Sequence, residues 1–200
     1  MYKLSTQTDN KPMRMDDDDD SSSVESVGSR IFFYSEVSKE SVLNLNKQLR
    51  SLSTKLLDVG QQYEIPAPPI RLHINSPGGS LLDCFASVDY IRNSKVPVYS
   101  IVEGSAASAA TIISVVAQKR LMYKNSYMLI HQLSGGMWGK YEEMVDDFKN
   151  ATVLMDRINE IYKAHTKIPA NVLKEILKRD IWFDSKTCLK YGLIDEVIGA

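Results

Sequence analysis

Residues 103–117 read EGSAASAATIISVVA, and the rest of the chain is arranged around them. A strand-like apolar run at 96–102 stops at the small residues Gly104-Ser105-Ala106-Ala107, and Ser108 follows in the first turn of a predicted helix. Small neighbours leave such a serine open to attack. The free N–H groups of a helix start point at any oxygen held there, and the helix dipole favours negative charge on it. A serine hydroxyl is a weak nucleophile, so this reading requires a base and a group that orients the base.

Working outward, strands alternate with helices on both sides of this stretch. Residues 70–75 (IRLHIN) alternate as a strand, and Ser76-Pro77-Gly78-Gly79 makes a sharp turn. Residues 80–93 form an amphipathic helix. Upstream, 31–34 is a short strand, and a helix capped at Ser38 carries Val42, Leu45, Leu49, Leu52 and Leu56 at helical spacing. Downstream, 119–124 and 127–130 are short strands, and 132–139 is a Gly-rich connection. A long helix spans about 140–165, with short helices at 172–177 and 184–191 and a last strand at 193–198. The alternation predicts an α/β fold of repeated β-α-β units with mostly parallel strands.

The base is sought among three histidines. His131 ends the apolar run MLIH just before the Gly-rich connection, placed to reach a strand-to-helix site. His73 lies inside a strand and reads as a core or edge residue, and His165 reads as a cation at the C-terminus of the long helix. Among 25 acids, Asp180 stands out, between Lys178-Arg179 and the apolar Ile181-Trp182-Phe183, a boundary that suggests partial burial and pairing. On pattern alone a salt bridge to Arg179 or a helix cap is the favoured explanation. The Gly78-Gly79 turn lets backbone approach a ligand, so the N–H groups of Gly79 and Ala109 are candidate oxyanion donors.

Four separated segments carry a resemblance: INSPGGS (74–80), EGSAASAA (103–110), MLIHQLSGG (128–136) and KRDIWFDSKTCLKYGLID (178–195). Together they resemble the ClpP family of serine peptidases, from about residue 30 to the C-terminus. The resemblance implies a ClpP/crotonase-like fold with a projecting handle at about 132–165, and a catalytic set of Ser108, His131 and Asp180. It puts the oxyanion donors at Gly79 and Ala109, and makes Ser105 a bystander. Extended substrate is expected to pair with backbone around Gly78, Ser80 and Leu81 on one side and Leu133, Ser134 and Gly135 on the other. Subunits are expected to form stacked seven-membered rings, a tetradecamer that receives unfolded protein from an AAA+ unfoldase. The sequence departs from the family at Ala109 (usually Met), Ala110 (usually Gly), Leu133 (usually Pro) and Ser105 (usually Gln). It also departs at the N-terminus, where an acidic, serine-rich arm stands; such divergence fits a viral or phage-type relative, including capsid-maturation proteases. A non-catalytic ring subunit and a crotonase-like acyl-CoA enzyme are the competing classes, and the second predicts no Ser-His-Asp set.

Composition bounds the remaining possibilities. With 44% hydrophobic and 24% charged residues, the 200-residue chain reads as one globular domain. Residues 1–27, containing the Asp16–Asp20 run, are expected to be a disordered arm, and 28–200 the peptidase domain. A net charge of −1 argues against nucleic-acid binding, and no apolar run reaches membrane-spanning length. Cys84 and Cys188 lack a CxxC partner and read as buried thiols of a reducing, cytoplasmic setting. No metal and no cofactor are expected.

Overall fold

A computed structural model describes residues 24–199. The chain runs β1 (Val24–Val27), β2 (Arg30–Phe33), α1 (Lys39–Gln62), β3 (Ile70–Ser76), α2 (Leu81–Arg92), β4 (Val98–Ala107) and α3 (Ala109–Val115). It continues through β5 (Lys119–Tyr123), β6 (Tyr127–Leu129), α4 (Tyr141–His165), α5 (Ala170–Ile176), β7 (Trp182–Asp184), α6 (Ser185–Tyr191) and β8 (Glu196–Ile198). The α/β alternation read from the sequence is present. The acidic run Asp16–Asp20 lies outside the described residues. Residues 24–27, read as the end of the arm, are instead an edge strand paired antiparallel with β2, Val27 opposite Arg30.

Three parallel β-α-β units, through α1, α2 and α3, build the sheet in the order β1-β2-β3-β4-β5-β8. Strand alternation puts Ile31 and Phe33, Leu72 and Ile74, Val98 and Val102, and Met122 on the face that packs against the helices, all fully buried. Helix α1 starts where Ser38 and Ser41 form a reciprocal capping box, and it turns Val42, Leu45, Leu49 and Leu52 into the core. Each such side chain contributes about 1.5–3 kcal/mol by leaving water. Among the described residues no helix is long and apolar enough to cross a membrane.

Strand β4 decides where the site lies. The residues 104–107, read from the sequence as a turn, continue the strand instead. The first half of β4 pairs with β5, Tyr99 opposite Lys119 through Val102 opposite Met122. Its second half pairs with β6, Ser105 opposite Tyr127 through Ala107 opposite Leu129. Residues 104–107 are small enough to sit between β3 and β6, and long-range pairing overrides a turn-like composition. The sheet therefore forks, and β6 with its antiparallel neighbour β7 forms a separate wing beyond the end of β5.

Helix α4 is buried only at its C-terminal end, at Ile158, Ile161 and Tyr162. Its N-terminal half projects with Tyr141, Phe148 and Val153 exposed, as is the preceding Trp138, at 98%.

Candidate active site

Ser108 occupies the junction of β4 and α3 with φ 54° and ψ −124°. Among the described non-glycine residues only Glu64 shares a positive φ. That backbone costs on the order of 1–3 kcal/mol and persists only where the surroundings enforce it. Here they do. Ser108 N–H donates to Leu129 O at 2.8 Å, carrying the β4–β6 ladder one residue further, and Ser108 O is drawn into the first turn of α3 by Thr111 N–H at 3.0 Å. The sharp reversal lifts the side chain out of the strand. As first residue of α3, Ala109 has an N–H with no acceptor inside the helix.

The same ladder places the other two candidates. His131 follows β6 by two residues. In the antiparallel β6–β7 pair Trp182 faces Leu129, so two further steps bring Asp180 alongside His131. His131 Nδ1 and Asp180 Oδ1 are 3.5 Å apart. The expected partial burial of Asp180 is not what the structure shows: its side chain is 80% exposed, against 19% for His131. The β7 hydrogen bonds begin only at Trp182, so Asp180 stands in the open approach to the strand. Among the described residues no hydrogen bond joins Ser108 Oγ to the His131 ring.

The Ser76–Gly79 turn abuts this junction from β3. Gly78 has φ +93°, and a Cβ there would stand 2.5 Å from Ala107 O and 2.7 Å from Ser108 Cβ, so only glycine lets β3 end against the serine. Gly79 has φ +144° and would put a Cβ 2.3 Å from Val37 O. Val37 clamps the turn on both sides: its N–H donates to Gly78 O, and its carbonyl accepts from Ser80 N–H, each at 2.7 Å.

Between these elements lies a cavity of about 190 Å³, lined among others by Gly79, Ser108, Ala109, His131, Leu133 and Tyr162. Ser80, Leu81 and Ser134, predicted to border substrate, also line it; Gly78 and Gly135 do not. Gly78 instead packs beneath Ser108, whereas a Cβ on Gly135 would meet nothing within 4 Å, so that glycine stands clear of the site. Ser105 lies off the cavity and hydrogen-bonds Asn75 Oδ1 at 3.4 Å. Sequence reasoning missed Ile112, Ile158 and Tyr162 as lining residues. Their helical spacing is the ordinary mark of core, and nothing in it signals a pocket.

The other two histidines are accounted for elsewhere. His73, buried on β3, pairs with Glu103 through Nδ1 at 2.7 Å and stacks on Phe32. His165 closes α4, at the helix end where the sequence puts it. Burial, reinforced by Arg92 and Arg120, pushes its imidazole below the ordinary value. Cys84 and Cys188 are buried and unbridged, and burial pushes both thiols up, Cys188 to about 12.

Comparison with known proteins gives the family. A family model described as Clp protease matches residues 20–200. An ATP-dependent Clp protease proteolytic subunit of Deinococcus radiodurans is 33% identical over 155 residues, covering 76% of this chain and 75% of that protein. With a serine lifted from a strand end, a histidine one strand away and family motifs along most of its length, the chain belongs to the ClpP family of serine proteases.

Proposed function

We propose that this protein is a self-compartmentalising serine endopeptidase, with Ser108 as nucleophile, His131 as general base and Asp180 as the group that holds the imidazole. The observation that carries this reading is the shared ladder: β4, β6 and β7 end side by side, so Ser108, His131 and Asp180 follow from one hydrogen-bond register.

In the proposed reaction Ser108 Oγ attacks the scissile carbonyl carbon as His131 Nε2 takes its proton. The carbonyl oxygen becomes an oxyanion, held by the N–H groups of Gly79 and Ala109. The C–N bond then breaks while His131 returns the proton to the leaving nitrogen. Water, deprotonated by His131, attacks the acyl-enzyme, and release of the acid regenerates Ser108. The backbone at 79–81 and 132–134 flanks the cavity as two edges between which an extended peptide would lie, a mode that reads main chain more than side chains. Alanine at 109, where the family usually carries methionine, leaves more room beside Ile112 and Leu133.

The exposed apolar residues Tyr141, Met144 and Phe148, at i, i+3 and i+7 along one face of α4, support assembly through this helix, since a lone surface rarely keeps such a row in water. Stacked heptameric rings, a tetradecamer fed by an AAA+ unfoldase in the cytoplasm, are the assembly proposed. The test is kinetic. Turnover of a fluorogenic peptide should fall by roughly 10³-fold or more in both Ser108→Ala and His131→Ala. Retention of more than a tenth of the activity by either variant would remove that residue from the mechanism.

A further inference from the structure

We infer that Thr111 and Tyr162 are positioning residues for the oxyanion donor Ala109 N–H, forming a directed chain of hydrogen bonds from α4 to the peptide bond behind the nucleophile. The inference rests on the proposal that Ser108 and Ala109 N–H act as described above.

The direction of the chain follows from counting hydrogens. Thr111 Oγ1 donates to Ser108 O at 2.6 Å. A threonine hydroxyl has one hydrogen, so toward Tyr162 Oη, also hydrogen-bonded to it, Thr111 Oγ1 accepts and the phenol donates. Ser108 O accepts from Thr111 N–H as well, at 3.0 Å, which occupies both its lone pairs.

Ser108 C=O and Ala109 N–H belong to one planar trans peptide unit, and the two bonds point in opposite directions. Whatever draws the carbonyl toward the core aims the N–H outward, toward the cavity that Ser108, Ala109 and His131 line. Thr111 supplies the pull, and Tyr162 fixes the rotamer of Thr111. Without the phenol, the threonine hydroxyl has no buried donor to hold it. Tyr162 is 1% exposed, and burial pushes its hydroxyl above the ordinary tyrosine range, so it is a donor at neutral pH. Because Tyr162 belongs to α4, the helix whose other end projects from the domain, the setting of the oxyanion donor depends on how α4 is seated.

The test uses the full chain carrying Tyr162→Phe, Thr111→Val, Thr111→Ser or the first two together, with peptide hydrolysis, thermal unfolding and binding of a peptide boronate. Tyr162→Phe keeps the ring that lines the cavity and removes only the hydroxyl. Outright loss of an oxyanion donor costs roughly 10²–10³ in kcat, and a misaimed donor should cost less. The expected result is therefore a fall in kcat of about three- to tenfold with KM within about twofold, and a matching loss of boronate affinity. Thr111→Val should lose at least as much as Tyr162→Phe, Thr111→Ser should restore activity, and the double variant should be no worse than Thr111→Val, because the chain passes through Thr111. An unchanged kcat in Tyr162→Phe, a loss confined to KM, or multiplicative losses in the double variant would overturn the inference. If Tyr162→Phe fails to fold, Thr111→Val against Thr111→Ser decides by the same criteria. A fluorophosphonate adduct on wild-type Ser108 separates the two levels: with the adduct and unchanged variants only the positioning role falls, and without it both fall.

Discussion

Replacing Gly79 by alanine addresses the tightest joint in the site. Its φ of +144° lies where L residues are rarely found, and the new Cβ would stand 2.3 Å from Val37 O, a backbone atom that cannot swing aside. Backbone strain of this kind amounts to about 1–3 kcal/mol. To relieve the clash the turn must withdraw from Val37, which loosens the two 2.7 Å bonds from Val37 N–H to Gly78 O and from Ser80 N–H to Val37 O. At about 1 kcal/mol for each bond, the total is roughly 3–5 kcal/mol. For a chain of this size each kcal/mol lowers Tm by about 2–4 °C, so the expected drop is about 6–20 °C. The same withdrawal moves the Gly79 N–H away from the place proposed for the oxyanion, and on that proposal kcat should fall by roughly 10–10²-fold, short of the full loss of a donor. Gly135→Ala is the internal control: a Cβ there meets nothing within 4 Å, and Tm should stay the same or rise slightly. Thermal unfolding and peptide turnover of both variants are the assay. A Gly79→Ala protein within 2 °C of wild type and fully active would refute the clamped turn.

Other perturbations have expected outcomes that are as specific. Ser108→Gly should be more stable than Ser108→Ala by about 1 kcal/mol in urea unfolding, because glycine accepts the positive φ that alanine does not, while both lack activity. Asp180→Asn should lower kcat by less than the roughly 10⁴-fold that a buried orienting carboxylate can cost, since solvent screens a side chain that is 80% exposed; a full 10⁴-fold loss would mean that the carboxylate is enclosed in the working enzyme. Arg120 holds the Asp195 carboxyl below the ordinary value of 3.8, through a side-chain hydrogen bond that outweighs partial burial. Its contribution is thus present above about pH 4 and lost as pH falls through the lowered value, so the Tm gap between wild type and Asp195→Asn should close on acidification below that point. Phe148→Asp, on the exposed face of α4, should yield a smaller species by light scattering; an unchanged mass would place the subunit contacts elsewhere.

Much of this site was legible in the sequence because strand ends and sharp turns leave local marks. An apolar run stopping at His131, paired glycines at 78 and 79, and a serine opening a helix are each visible within a few residues. What was hidden depends on register. The small residues 104–107 look like a turn until β6 is known to pair with them, and β7 is three residues long, too short for any periodicity to show. The exposure of Asp180 follows from where the β7 ladder begins, which the apolar stretch after it does not reveal. Tyr162 shows the same limit from the other side. Its spacing in α4 marks it as core, and it is core, yet its hydroxyl meets Thr111 from a helix 51 residues away in the chain.

The most direct test of the account is the site of covalent capture. Full-length protein treated with a fluorophosphonate and digested should carry the adduct on the peptide containing Ser108. The adduct should persist in Ser105→Ala and disappear in Ser108→Ala and in His131→Ala. An adduct on Ser105, or one that forms as readily without His131, would contradict the assignment of nucleophile and base on which the mechanism stands.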